Sequence, residues 1–151
     1  MISKALDYSL RAIVYMAAND EIDYFGVKEL SKSTRVSPSY LGKVLQNLVR
    51  QGYLKSTTGP GGGFGLARSP SSITIMELIS AIDGRKVMNQ CFLGMADCSD
   101  SNPCPIHPVW KEHRDELVKS FGATTVEDIR ATSWPAYLKR TAPKKTRTAK
   151  S

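Results

Sequence analysis

The sequence predicts a mainly α-helical chain: a winged helix-turn-helix with a two-stranded wing, followed by a cysteine-bearing loop and a long C-terminal helix. Three observations predict it. Two short helical patterns are joined by a tight turn, the second opening on the capping pair Ser37-Pro38. A glycine-rich turn, Gly59-Pro60-Gly61-Gly62-Gly63, follows directly between two strand patterns. All three cysteines fall between Cys91 and His107, in a stretch too rich in Gly, Asp, Ser, Asn and Pro to be a helix.

Taken in order, the chain opens with Ser3 as an N-cap, then Ala5, Leu6, Leu10, Ile13, Val14 and Ala17 at helical spacing. Asp7 falls near the start of this helix, where the helix dipole favours a carboxylate. After a polar link, Val27 to Ser31 predicts a short helix and Lys32 to Val36 a turn. The second helix of the pair carries Leu41, Val44, Leu45, Leu48 and Val49 on one face, and Gly52 ends it. Ser37, Ser39, Tyr40 and Lys43 point away from that apolar face. In helix-turn-helix motifs the start of the second helix enters the major groove, so these four residues are candidate DNA contacts.

Tyr53 to Thr57 and Phe64 to Ala67 then form a hairpin in the position of a wing. Gly61, Gly62 and Gly63 let its backbone pass close to a phosphate or a groove wall, which adds them to the candidate DNA contacts. A nucleotide-binding loop fits poorly, since no Gly-Lys-Ser/Thr follows and the glycines do not lead straight into a helix. Thr74 to Glu77 is a capping box opening a helix that Gly84 stops. Beyond the cysteine loop, Val109, Trp110, His113, Leu117, Val118 and Phe121 make Pro105 to Phe121 an amphipathic helix, read as a dimerisation helix, with packing inside the subunit as the plainer alternative. Thr124 and Glu127 suggest a further capping box and a short last helix. From Ala142 onward no large apolar residue occurs, and a disordered basic tail is expected.

The resulting division is residues 1-84 as the winged helix-turn-helix DNA-binding domain, 85-131 as the cysteine loop and dimerisation helix, and 132-151 as the basic tail. Charge follows it. Of the net +7 over 151 residues, Met1 to Pro70 has nine Lys/Arg against five Asp/Glu, Ser71 to Leu138 six against nine, and Lys139 to Ser151 six against none. Such a balance suits a polyanionic partner, double-stranded DNA, for the first half and the tail. No apolar run is long enough to cross a bilayer, and no triad, paired-carboxylate motif or nucleotide loop marks an enzyme or a small-molecule substrate site.

The cysteine loop has the spacing Cys-x6-Cys-x5-Cys-x2-His, placing Cys91, Cys98, Cys104 and His107 within reach of one centre. Sulfur with one imidazole suits zinc, copper(I) or an iron-sulfur cluster and disfavours magnesium and calcium. Structural zinc sites usually bring ligands in close pairs, whereas wide gaps suit a loop draped over a larger inorganic core. Three unrelated buried thiols are the plain alternative. An odd cysteine count without a preceding signal peptide points to a reducing, cytoplasmic setting and away from disulfides.

These residues together resemble the Rrf-type family of winged-helix iron-sulfur transcriptional regulators, IscR-like and NsrR-like. The resemblance is carried by the first helix from Ser3 to Ala12, by Val36-Ser37-Pro38-Ser39-Tyr40-Leu41, by the Gly59 to Phe64 wing and by the three-cysteine loop ending in Cys-Pro-Ile-His. It runs from about Met1 to Ile129. It implies a homodimer with two winged helices on a roughly palindromic operator, a role as repressor, and a cluster, 2Fe-2S or 4Fe-4S, sensing nitric oxide, redox state or iron-sulfur status. By the resemblance Cys91, Cys98 and Cys104 are cluster ligands. IscR-like members take the fourth from the residue matching His107, and the nitric-oxide-sensing branch from a first-helix aspartate matching Asp7, donated by the partner subunit. Asp7 is put forward as the fourth ligand, with His107 its rival, because a ligand on the first helix ties the loop directly to the DNA-reading elements. The first cysteine gap is one residue longer here than in IscR-like members, and a wing arginine used by some members is Thr58. A zinc- or thiol-based redox protein, with the helix-turn-helix serving assembly, is the competing reading.

Overall fold

The structure, a computed structural model, describes residues 3–141. The tail expected to be disordered from Ala142 lies outside the described residues. Seven α-helices and one hairpin account for most of the described residues: α1 (Lys4–Ala18), α2 (Val27–Thr34), α3 (Pro38–Arg50), β1 (Leu54–Thr57), β2 (Gly63–Leu66), α4 (Ile75–Ile82), α5 (His107–Ala123), α6 (Val126–Arg130) and α7 (Trp134–Thr141). The architecture is the mainly helical winged helix read from the sequence.

Local chemistry explains most boundaries. The Ser3 hydroxyl accepts from the Leu6 N–H and caps α1, and the Ser37 hydroxyl accepts from the Tyr40 N–H and caps α3. The Thr74–Glu77 capping box is complete, each partner accepting from the other's backbone N–H. Gly52 and Gly84 take positive φ directly after α3 and α4, as helix-ending glycines do.

Three boundaries differ most from expectation. Helix α2 continues to Thr34 and turns sharply only at Arg35, whose φ is 62°. Thr34 and Ser31 prolong it by bonding their hydroxyls to nearby carbonyls, Thr34 to Leu30 and Ser31 to Val36. The second capping box is Thr125 with Asp128, not Thr124 with Glu127, because Thr124 is still closing α5 through its N–H to Ser120. Residues 134–141, assigned to the tail from their sequence, form α7, whose Trp134 packs on the core.

The core is built from α1 to α4. Ile13, Val14 and Met16 of α1 meet Leu30 of α2, Leu41, Leu45 and Leu48 of α3 and Leu78 of α4, all essentially inaccessible. Burial of each such side chain contributes about 1.5–3 kcal/mol, and truncation to alanine costs about 2–5 kcal/mol. The hairpin pairs antiparallel, Leu54 opposite Leu66 and Thr57 opposite Gly63. It is sewn to the body where Phe25 and Phe64 exchange backbone hydrogen bonds of 2.8 and 2.9 Å. That close approach is why Gly63 has no side chain: a Cβ there would lie 2.0 Å from the Phe25 carbonyl oxygen.

Helix α6 returns to this same core. The Val126 N–H donates to the Ile73 carbonyl and the Ile75 N–H to that of Thr124, and Val126 is fully buried. Arg130 adds hydrogen bonds to the Ala17 carbonyl and to Asp20 at the end of α1. The amphipathic stripe of α5 therefore divides. Leu117, Val118 and Phe121 pack on the subunit's own core, as the plainer alternative held, while Val109 is 60% exposed and His113 lies on the surface.

Candidate nucleic-acid interface and metal centre

The first face is that of α3. Ser37, Ser39, Tyr40 and Lys43 are all exposed. Tyr40 is held edge-on against Tyr8, with ring centroids 6.1 Å apart, so its hydroxyl is presented on a braced ring. The Ser37 hydroxyl accepts the capping bond, and its own O–H can still be donated to a phosphate. Beside α3 lies an open recess of about 570 Å³ lined by Val27, Pro38, Ser39, Gly42, Lys43, Gln46, Arg50 and Phe64. Lys28, Lys32 and Arg35 are exposed on the neighbouring helix and turn.

The wing glycines divide by role. Gly61 is exposed, takes φ 74° and has open space about it, free to approach a phosphate. Gly62 and Gly63 are needed by the hairpin itself, because a Cβ would meet the Thr57 carbonyl at 2.6 Å or that of Phe25 at 2.0 Å. Gln46 and Arg50 were missed in the sequence, although both follow Lys43 on the same helix face at spacings of three and seven.

The second candidate is the loop between α4 and α5. Cys91 and Cys104 are buried with Sγ atoms 3.9 Å apart, and Cys98 Sγ lies 3.2 Å from His107 Nδ1. The loop is folded back on the start of α5, where the Trp110 Nε1–H donates to the Gln90 carbonyl and Phe92 rests against the Trp110 ring. The backbone N–H of Met95 holds the Cys91 thiol below its ordinary pKa, helped by those of Leu93 and Gly94 and by the Cys104 thiol, while burial opposes. Amide hydrogens converging on sulfur stabilise thiolate, the form that binds metals.

His107, buried at the first turn of α5, is held from its far side: Nε2 lies 2.8 Å from Asp100 Oδ1, and Lys111 Nζ lies 2.6 Å from Oδ2. Lys111 first, and then His107, lowers the Asp100 carboxyl to about 2, so it is a carboxylate at neutral pH. An Nε2–H donated to that carboxylate leaves the Nδ1 lone pair facing Cys98, the arrangement by which carboxylates orient metal-bound histidines. The sequence offered no sign of Asp100 beyond a carboxylate in the loop.

Asp7 is elsewhere. Its Oδ1 accepts from Arg11 Nε at 2.8 Å, an ordinary i,i+4 pair. It lines an apolar groove of about 370 Å³ with Leu6, Leu10, Ile79, Phe121 and Ile129, at the C-terminal end of α5. His107 opens that helix, and at 1.5 Å per residue the two ends are on the order of 20 Å apart. Within one subunit Asp7 does not join the cysteines. Among the described residues no three His, Cys, Asp or Glu side chains converge as a ready metal site. The loop instead holds two pairs, Cys91 with Cys104 and Cys98 with His107. A donor set of three thiols and an oriented imidazole fits a thiophilic metal or an iron-sulfur cluster, and ligand sets commonly close only around their metal.

A helix-turn-helix with an exposed second helix, a glycine wing beside it and a basic surround defines a winged-helix DNA-binding transcriptional regulator. Residues 2–132 match the family model Rrf2, described as an iron-dependent transcriptional regulator. The chain belongs to the Rrf2 family. It is 32% identical over 131 residues to a protein of Aquifex aeolicus named as an HTH-type transcriptional regulator, covering 85% of this chain and 90% of that one. It is 30% identical over 122 residues to the HTH-type transcriptional regulator IscR of Escherichia coli, covering 81% and 75%. Among solved structures it resembles CymR, the global cysteine regulator of B. subtilis, with a TM-score of 0.73 at 22% identity, over 87% of this chain and 96% of that one. These relatives are transcriptional regulators, not enzymes, and so is this chain. Among the described residues no helix is long and apolar enough to cross a membrane.

Proposed function

We propose that the protein is a homodimeric, cytoplasmic transcriptional repressor whose grip on operator DNA is set by an iron-sulfur cluster responding to nitric oxide, redox state or iron-sulfur status. In this reading residues 1-84 read DNA, through Ser37, Ser39, Tyr40 and Lys43 with the wing at Gly61, Gly62 and Gly63. Residues 85-131 carry the cluster and the dimer contact. Cys91, Cys98 and Cys104 hold the cluster. When bound, it supplies an inorganic centre reactive toward oxidants and nitric oxide.

The single observation that carries this reading is the folding of three thiols and one imidazole into a single loop, with amide hydrogens aimed at Cys91 and Asp100 orienting His107. His107 is accordingly the fourth ligand we favour. A second reading, with Asp7 of the partner subunit in that place, rests on a different observation. The loop exposes Phe92, Leu93, Met95 and Ile106, while the groove beside Asp7 is apolar and open. A two-fold dimer laying each loop against the partner's groove covers both surfaces and brings Asp7 to the cysteines.

The test is anaerobic isolation followed by iron, sulfide and zinc analysis and a visible spectrum. Iron and acid-labile sulfide with visible absorption are expected. Zinc alone, or no metal and no colour, supports the competing zinc- or thiol-based redox protein and overturns the cluster.

A further inference from the structure

Gly42 lies in the middle of α3, the helix that reads DNA in the function proposed above, and among the described residues no contact requires it to be glycine. Its φ is not positive, and a Cβ built on it meets only Val27 Cγ2, at an ordinary contact distance of 3.7 Å. At Gly63 and Gly65, by contrast, a Cβ would lie 2.0 and 2.1 Å from a carbonyl oxygen. Glycine inside a helix is destabilising relative to alanine, and here alanine would add a contact instead of a clash. A helix that accepts this cost on its DNA face gains something other than stability.

What it leaves is the recess beside α3. Its apolar part is Val27, Pro38, Phe64 and the bare backbone of Gly42, and its polar rim is Ser39, Lys43, Gln46 and Arg50. The rim carries two cations and no acid, so it matches the charge of a duplex. In the major groove the one apolar group is the thymine methyl, and a glutamine amide is the side chain that pairs with the N6 and N7 of adenine. Gln46 is one helical turn beyond Gly42 on the same face, about 6 Å away, a reach that spans neighbouring base pairs.

We infer that Gly42 is a specificity-determining residue: it keeps open an apolar seat for a thymine methyl in the operator, beside an adenine read by Gln46. The inference rests on the DNA-reading role of α3. Larger residues at position 42 fill the seat and remove the preference without touching the phosphate contacts made by the rim.

The experiment uses the anaerobically isolated full chain. Wild type and Gly42→Ala are each presented with a library of randomised duplexes, and affinities are measured for the wild-type consensus and for copies in which each thymine in turn is replaced by uracil. At one thymine per half-site, loss of the methyl is expected to weaken wild-type binding about threefold to tenfold. Gly42→Ala is expected to melt a few degrees higher and to bind the thymine and uracil duplexes alike. Gln46→Ala is expected to lose the adjacent adenine preference. The proposal is overturned if uracil is tolerated by wild type at every position, or if Gly42→Ala keeps the full thymine preference. If wild type selects no consensus at all, the DNA-reading role of α3 fails, and the inference with it.

Discussion

His107 makes two contacts that belong together: Nδ1 faces Cys98 at 3.2 Å, while Nε2 is held by a carboxylate that is ionised at neutral pH. A buried imidazole needs a partner for its N–H in any case, and a carboxylate in that place is the partner metal-bound histidines commonly have. Replacing His107 by alanine is therefore expected to change the visible spectrum of the anaerobic protein, and Asp100→Asn to lower metal retention about tenfold or more. Asp7→Ala breaks only the pair with Arg11, an exposed contact of about 0.3–0.5 kcal/mol, and should leave the spectrum as it was. A spectrum that responds to Asp7→Ala and ignores His107→Ala would return the fourth position to the partner's aspartate. In the sequence the two candidates were chosen by a switching argument, which placed Asp7 first. What the sequence could not contain is that Asp7 packs beside the C-terminal end of α5, while His107 opens the same helix.

Helix ends and the hairpin were the most legible features, because capping is a matter of three or four neighbouring residues. Ser3, Ser37 and the Thr74–Glu77 box all act as their spacing implied. The box carries a pH signature. The backbone N–H of Thr74 lowers the Glu77 carboxyl below its ordinary value of 4.5, with Arg68 helping and burial opposing. A carboxyl whose folded pKa is depressed stabilises the fold above its unfolded pKa, and that contribution is lost as pH falls through the folded value. Glu77→Gln is expected to lower stability at neutral pH by about 0.5 kcal/mol, a modest figure because the side chain is more than a third exposed. The gap between wild type and variant should close on acidification through the carboxylate range, as urea midpoints at a series of pH values would reveal. A gap independent of pH would assign the effect to helix propensity. Thr124 was misread because two adjacent threonines satisfy the same pattern, and only the path of α5 shows which one is outside it.

At the scale of the molecule, the N-terminal body and the C-terminal helices are one packed unit on the described residues, since α6 buries Val126 in the core of α1 to α4 and Arg130 holds the end of α1. The loop at the start of α5 and the exposed face of α3 therefore belong to one packed body. On that face Lys43 is exposed and unconstrained by any cap, as suits a phosphate contact, and Tyr40 is braced, as suits a base contact. Lys43→Ala should weaken binding to all duplexes alike and reduce the salt slope by about one per contact, whereas Tyr40→Ala should cost about 1–3 kcal/mol on the preferred operator only. Titrations at several salt concentrations separate the two. Unchanged affinity in both variants would move the interface away from the start of α3.

By itself the sequence determined the winged helix, the loop with its three thiols and the exposed face of α3, because each is written in local terms: caps a turn apart, apolar residues every three or four positions, glycines at a hairpin, thiols within one short segment. Tertiary structure decided the rest. It paired Cys91 with Cys104 and Cys98 with His107, set Asp7 at the opposite end of α5, divided that helix's apolar stripe between core and surface, and left Gly42 without a packing reason. The thiol pairing depends on the path of an irregular loop, which has no periodicity to read; the others depend on distances between residues far apart in the chain, which are set by how whole helices stack and not by any periodicity along one of them.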